Sequence, residues 1–203
     1  MKKLLVILSI TFAYYSTAQN VQIVSGSPDN LQKESELNVE FDYSNLEVMD
    51  DNLSEATYIE NRSKDLNEKN TGEGDRWEKK WNNAKTAIWQ PKFLDLLNKY
   101  VGGKVDGFTA QEGLTSAKYT LIVVVEWIYP GWDVYVSKKP AKLTTTLKFV
   151  ETDNRDNVLL ELKSEHAPGD GFGNNFSNES RIGESFAKTG KTLAQLMLKN
   201  GLE

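Results

Sequence analysis

The stretch GDGFGNNFSNE, residues 169–179, offers the best group of oxygen donors in the chain. Its candidates are Asp170, Asn174, Asn175 and Glu179, whose carboxylate and amide oxygens are the kind that calcium prefers. The stretch follows neither of the familiar calcium-binding spacings. We favour the interpretation of this stretch as a long connection with glycine and asparagine at strained turns. We therefore treat these four residues as candidate ligand-binding residues and predict no metal site.

The five tryptophans provide flat aromatic faces on which sugar rings can stack. Trp77 and Trp81 share one face of a predicted helix, so packing in the core accounts for both of them. Trp132 follows the turn formed by Pro130 and Gly131, and it is the tryptophan that we expect to be exposed. Trp132 is therefore our candidate carbohydrate contact.

Two segments near the C-terminus approach catalytic or nucleotide-binding motifs. SFAKTGKT, residues 185–192, matches GxxxxGK[ST] except at its first letter, but no strand precedes it and it lies inside a predicted helix. GESFA, residues 183–187, approaches the GxSxG motif of serine hydrolases, which requires a later histidine. The only histidine, His166, comes earlier. Neither nucleotide binding nor a serine triad is predicted.

The chain offers few groups for other chemistry. It has one histidine and no cysteine, so the usual zinc and transition-metal sites have too few ligands. Asp50, Asp51, Asp75 and Glu78 are carboxylates of the type that cleave glycosidic bonds, but their spacing singles out no pair. We assign no catalytic residue and no cofactor, and we favour a protein that is not an enzyme.

Residues 1–18 have the layout of a secretory signal peptide. Lys2 and Lys3 precede an apolar run that is too short to span a bilayer, and small residues end at Ala18, the predicted cleavage site. With no cysteine for a lipid anchor and no later spanning segment, we expect a periplasmic or extracellular protein. Its formal net charge of −5 disfavours nucleic acid as a partner.

The remaining pattern predicts one α+β domain over residues 37–203, preceded by a flexible segment over residues 19–36. That segment should be poorly ordered unless VQIV pairs as an edge strand. Period-two alternation predicts strands, and apolar residues three and four apart predict helices. The predicted strands cover residues 37–43, 118–129, 142–151 and 157–165. The predicted helices cover residues 54–69, 75–90 and 91–101, and a last helix runs from a Ser180 cap to Asn200.

These elements favour an antiparallel or mixed sheet with the helices packed mainly on one face. The last three strands should form an antiparallel meander. The last helix carries a line of small residues, Gly183, Ala187, Gly190 and Ala194, which we expect to seat it against the sheet. This interpretation also explains Gly190 without a phosphate.

The second half of the chain carries a resemblance, in the strand, turn and VSKKPA of residues 118–141 and in the FAKTGKTLAQLM of the last helix. These features resemble a family of exported bacterial envelope proteins, of about this chain's length, with no assigned function. The first half is similar, in architecture only, to the small domain at the start of periplasmic TolB-like proteins. The resemblance implies an envelope location and supplies no catalytic residues.

Two functions remain open. The first is an exported, non-enzymatic envelope protein that binds or assembles with another envelope protein. The alternative is a carbohydrate-binding or carbohydrate-active protein that uses Trp132 and the acids of residues 169–179.

Overall fold

The computed structural model describes residues 19–31, 33–134, 136–169 and 177–200. The predicted signal peptide and the candidates Asp170, Asn174 and Asn175 lie outside the described residues, as does Gly201.

The described part of the chain contains four α-helices and ten strands. The helices are α1 (Glu55–Lys69), α2 (Glu73–Ala84), α3 (Gln90–Gly102) and α4 (Asn178–Lys199). The strands are β1 (Asn20–Gly26), β2 (Glu36–Asp42), β3 (Glu47–Val48), β4 (Leu53–Ser54), β5 (Thr109–Gln111), β6 (Tyr119–Tyr129), β7 (Trp132–Asp133), β8 (Lys138–Lys139), β9 (Ala141–Glu151) and β10 (Asn154–Gly169). None of the helices in this part of the chain combines the length and the apolar character needed to cross a membrane.

The main sheet is mixed, and its strand order is β1-β10-β9-β6-β2-β5. β6, β9 and β10 form the predicted antiparallel meander. β2 instead runs parallel to β6 and β5, and the short β3 continues parallel pairing along β6. β1 pairs with β10 as an edge strand, which is the exception we allowed for VQIV. The α+β fold is confirmed.

One contiguous core lies between the sheet and the helices, because alternate strand residues point to the same side. From the sheet, the buried side chains include Leu121, Val123, Val125, Leu143, Leu147, Phe149, Leu160 and Leu162. From the helices, they include Trp81, Trp89, Phe93, Leu97, Ile182, Phe186 and Leu193. These helices cover one face of the sheet, as the apolar pattern predicts.

A widened turn separates α2 from α3. Residues 85–89 form one π-helical segment, and Pro91 follows in the first turn of α3. Proline lacks an N–H and its ring clashes with the carbonyl four residues earlier, so a regular helix cannot continue through it. The insertion brings Trp89 fully into the core, where its indole Nε1 donates a hydrogen bond of 2.9 Å to the Glu179 carbonyl oxygen.

The small-residue line of α4 faces α3 and not the sheet. A Cβ on Gly190 would lie 2.3 Å from the carbonyl oxygen of Phe93, and one on Gly183 would lie 2.9 Å from the Ile88 side chain. Our expectation that this line seats α4 on the sheet was therefore wrong. The larger side chains Ile182, Phe186 and Leu193 occupy the sheet-facing core, so the small residues are left for the close helix contact.

α4 begins earlier than predicted. The capping residue is Ser177, whose Oγ accepts a hydrogen bond of 3.2 Å from the backbone N–H of Ser180. The predicted cap, Ser180, is therefore inside the first turn. Both serines precede the apolar stripe at suitable distances, so the sequence alone does not separate them. The SFAKTGKT segment lies within α4, as predicted.

Candidate functional site

Trp132 opens a short hairpin made by β7 and β8. It follows a turn at Pro130 and Gly131, and 39% of its surface remains exposed. Gly131 has a φ of 65°, and a Cβ there would lie 2.4 Å from the Lys139 carbonyl oxygen. Only glycine fits this turn. The turn therefore fixes where the hairpin leaves the sheet and where Trp132 lies.

Arg181 braces this turn from α4. Its side chain is buried, with 5% exposed, and its Nε donates 3.2 Å to the Pro130 carbonyl oxygen. Nη2 donates 3.1 Å to the Gly131 carbonyl oxygen and also to Oδ1 of Asn178. Burial lowers the pKa of Arg181, and the neighbouring Asp133 and Glu179 carboxylates oppose that shift. Arginine nevertheless remains charged in proteins, so the turn carbonyls keep a cationic donor.

The Trp132 cavity is a hollow of about 400 Å³ beside this turn. Its size lies within the range of small-molecule sites, roughly 300–1,000 Å³. Its lining combines three aromatic rings with polar and aliphatic side chains. The lining residues are Met49, Asp51, Leu53, Tyr58, Asn61, Arg62, Asp65, Tyr129, Pro130, Gly131, Trp132 and Asn178.

Met49 lines the same cavity in a strained backbone conformation. Its φ of 70° lies in the left-handed region, which costs a non-glycine residue about 1 kcal/mol or more. Two hydrogen bonds hold it there: the Met49 N–H donates 3.0 Å to the Ile128 carbonyl oxygen, and Trp127 Nε1 donates 2.8 Å to the Met49 carbonyl oxygen. The β3–β4 turn is thus fastened to β6, and the cavity wall is fixed in place.

Tyr58 links the Trp132 cavity to a second one. Burial raises the pKa of its phenol, although the positive charge of Arg62 opposes this, so the phenol stays protonated at neutral pH. Its ring lies edge-on to Trp77, with 5.7 Å between the ring centroids. Trp77 in turn lines the second cavity.

The arginine groove is this second cavity, of about 900 Å³, between α1, α2 and the start of α4. It shares Arg62 and Asn178 with the Trp132 cavity. Its lining residues are Arg62, Leu66, Glu73, Arg76, Trp77, Lys80, Asn83, Ala84, Ala87, Ile88, Ser177, Asn178 and Glu179.

Three cations of the arginine groove have no carboxylate partner in the described part of the chain. Arg62, Arg76 and Lys80 are absent from every salt bridge formed there. The two carboxylates of the groove are held by neutral donors instead. Asn70 donates 2.8 Å to Glu73, and the Ser177 hydroxyl donates 2.7 Å to Glu179. The lining therefore carries an excess of positive charge in a chain of net charge −5.

The structure brings two of the predicted site residues into adjoining cavities. Trp132 lines the first and Glu179 lines the second. Arg62, Arg76 and Lys80 belong to no motif in the sequence and were not predicted as site residues. The last two are four residues apart on α2, beside the Trp77–Trp81 stripe, which was the one signal available. Trp77, assigned to the core, is only partly buried and lines the groove.

Metal-binding clusters are not found among the described residues, which contain no group of three or more His, Asp or Glu side chains near enough together. His166 lies at an irregularity of β10 with a φ of 53°, and its ring is exposed and packs edge-on against Trp127 at 5.5 Å. His166 is not among the residues that line either cavity.

No protein-family model and no curated protein matches the chain. Among solved structures, it is similar to the PelC dodecamer from Paraburkholderia phytofirmans, with 11% sequence identity and a TM-score of 0.38. The match covers 87% of this chain and 97% of that chain. A variant PelC dodecamer from the same organism matches over the same shares, with 12% identity and a TM-score of 0.37.

Proposed function

We propose that this is an exported, non-enzymatic binding protein whose ligand is a carbohydrate, held in the Trp132 cavity. The observation that carries the proposal is the composition of that cavity. A partly exposed indole lies with two further aromatic rings among side chains that hydrogen-bond hydroxyl groups. Export rests on the signal-like pattern of residues 1–18.

Sugars have an apolar face of C–H groups and a rim of hydroxyls. Trp132 supplies a flat surface for the face. Asp51, Asn61 and Asp65 line the same cavity and offer acceptors and donors for the rim. Because Arg181 and Gly131 fix the turn before the ligand arrives, little conformational entropy is lost on binding.

The test is a glycan array followed by a fluorescence titration of the purified protein. We expect saturable binding of at least one oligosaccharide, with a change in tryptophan emission. Trp132→Ala should weaken that binding at least ~10-fold, because the stacking surface is lost. Incubation with the bound oligosaccharide should release no shorter product.

Val136→Ala is the matched control. Val136 lies on the same hairpin, is 89% exposed and is not part of the cavity lining. Its truncation should leave sugar affinity unchanged. If the array gives no response, or if both variants weaken binding equally, the carbohydrate proposal fails.

A second candidate function is assembly with another envelope protein, and exposed apolar residues favour it. Val134 and Val136 project from the hairpin, and Ile23 and Val24 lie exposed on the edge strand β1. A photo-crosslinking residue at position 136, compared with one at the exposed Lys79 on α2, tests it in intact cells. A discrete adduct at position 136 alone would support assembly, and no adduct at position 136 would reject it.

A further inference from the structure

The Trp132 cavity and the arginine groove adjoin each other, because Arg62 and Asn178 line both. Tyr58 of the first cavity and Trp77 of the second are in ring contact at 5.7 Å. Trp132 thus lines the first cavity and Trp77 the second, and the largely buried Tyr58 lies against Trp77. With volumes of about 400 and 900 Å³, the two adjoining cavities together offer more space than one small ligand requires.

The charge of the lining differs between the two cavities. The Trp132 end has the carboxylates of Asp51 and Asp65 with Arg62, whereas the Trp77 end has Arg62, Arg76 and Lys80. The Glu73 and Glu179 carboxylates at that end accept hydrogen bonds from neutral side chains and form no ion pair with these cations among the described residues. A carboxylate or sulfate group on a ligand would find arginine donors there without displacing an internal partner.

From these observations we infer that the ligand is an anionic oligosaccharide. Its acidic sugars lie in the arginine groove against Arg76 and Lys80, and another ring of the same chain stacks on Trp132. This inference rests on the proposed carbohydrate function and adds the chemical class of the sugar. A free inorganic anion would bind the cations of the groove but would make no contact that needs the aromatic side chains.

The experiment compares acidic oligosaccharides with their neutral counterparts by calorimetric titration of the purified protein. Oligogalacturonate and oligomannuronate are each measured beside the carboxyl-reduced oligomer of the same length. We expect the acidic form to bind at least ~10-fold more tightly at low salt, because charge-assisted hydrogen bonds are lost on reduction. The preference should shrink as sodium chloride rises toward 1 M, where screening is strong.

The variants locate the effect. Arg76→Ala combined with Lys80→Ala should remove the preference for the acidic form while neutral oligomers still bind at Trp132. Lys79→Ala is the control, since it removes one positive charge from an exposed residue of α2 outside the groove lining. All three substitutions lie at exposed helix positions, so folding should be unaffected, which thermal unfolding checks.

Three results overturn the inference. Equal affinity for acidic and reduced oligomers would do so, and so would a double variant that keeps the preference. Sodium sulfate or phosphate binding as tightly as the acidic oligomers would make the groove a simple anion site. In each of these cases, the proposed function stands if neutral sugars still bind through Trp132. If no sugar of any kind binds, both the proposed function and this inference fail.

Discussion

The arginine groove and the opposite face of the sheet use charge in contrasting ways. On the open face of the sheet, Glu126 accepts hydrogen bonds from Lys163 and from the Thr146 hydroxyl. Glu126 and Lys163 line a hollow of about 440 Å³, close in size to the Trp132 cavity. In the arginine groove, by contrast, Arg62, Arg76 and Lys80 have no ion-pair partner among the described residues.

The contrast separates charge that stabilises the fold from charge that is available to a ligand. Glu126 shows the first kind: burial alone would raise its pKa, but the hydrogen bonds from Lys163 and Thr146 outweigh burial and hold it below its ordinary value of 4.5. A ligand that binds Glu126 or Lys163 would have to compete with an internal partner. A ligand that binds Arg62, Arg76 or Lys80 in the groove would not, so the two hollows differ in what they can bind.

The largest expected effect comes from the close contact between α3 and α4. In Gly190→Leu the new side chain would meet the Phe93 backbone, because even a Cβ would lie 2.3 Å from its carbonyl oxygen. Separating α3 from α4 should cost about 3 kcal/mol or more. Thermal or urea unfolding followed by circular dichroism measures the loss.

Lys191→Ala is the control for the contact between α3 and α4. Lys191 is only partly buried, and its Nζ lies 5.1 Å from the centre of the Tyr100 ring. Its removal should change the free energy of unfolding by about 0.5 kcal/mol or less. Equal stability of the Gly190→Leu and Lys191→Ala variants would contradict the close helix packing.

The second-largest effect should come from the turn beside the Trp132 cavity. Arg181→Met removes the donor to the Pro130 and Gly131 carbonyl oxygens while keeping much of the side-chain volume. We expect a loss of about 2 kcal/mol in the free energy of unfolding, because buried acceptors are left without partners. Sugar binding at Trp132 should weaken as the turn loosens.

The acid sensitivity of the open sheet face distinguishes this local effect of Arg181→Met from a general loss of stability. The acid sensitivity that Glu126 contributes should be the same in Arg181→Met as in the parent protein, because Arg181 donates to the Pro130 and Gly131 carbonyl oxygens whereas Glu126 accepts from Lys163 and Thr146. Full sugar affinity in Arg181→Met would show that the turn does not depend on this arginine.

The smallest effect belongs to the sheet face itself. Since the folded pKa of Glu126 lies below 4.5, the unfolded state binds more protons as pH falls through that value. The contribution of Glu126 to stability is therefore present above pH 4.5 and is lost as pH falls toward the folded pKa. Glu126→Gln should cost about 0.2–1 kcal/mol at pH 7, and the difference from the parent should disappear in acid.

Urea unfolding of both proteins from pH 7 to pH 3 measures this difference, with ligand binding as the second readout. Glu126→Gln should bind the acidic oligosaccharide normally. A Glu126→Gln variant with the parent's stability at pH 7 but weakened ligand binding would reverse the roles of the two regions.

Much of the fold follows from local patterns. The alternation in residues 37–43 and the β-branched run at 118–129 predict strands that the structure contains as β2 and β6. Pro91 predicts the break between α2 and α3, and the apolar stripe of the last helix identifies its core face. These features depend on residues that are close together along the chain, within about one helical turn or a few strand residues. The sequence therefore shows them directly.

The position of the small-residue line was not predictable in the same way. Gly183 and Gly190 indicate a close approach, but either a sheet or a helix can be the neighbour. The choice of α3 depends on the π segment before Pro91 and on the larger side chains that fill the space above the sheet. Trp132 was identified because a turn beside proline and glycine is a local signal, whereas Arg181, which holds that turn, comes from a distant helix.

The sequence by itself determined the α+β composition, the core faces of the elements and the exposed position of Trp132. Only the tertiary structure decided which charges are paired. Arg62 on α1 and Arg76 on α2 meet in one groove because the two helices pack side by side, and Glu126 meets Lys163 across the sheet. Electrostatic energy depends on distance in space and on burial, and both arise only when separate elements come together.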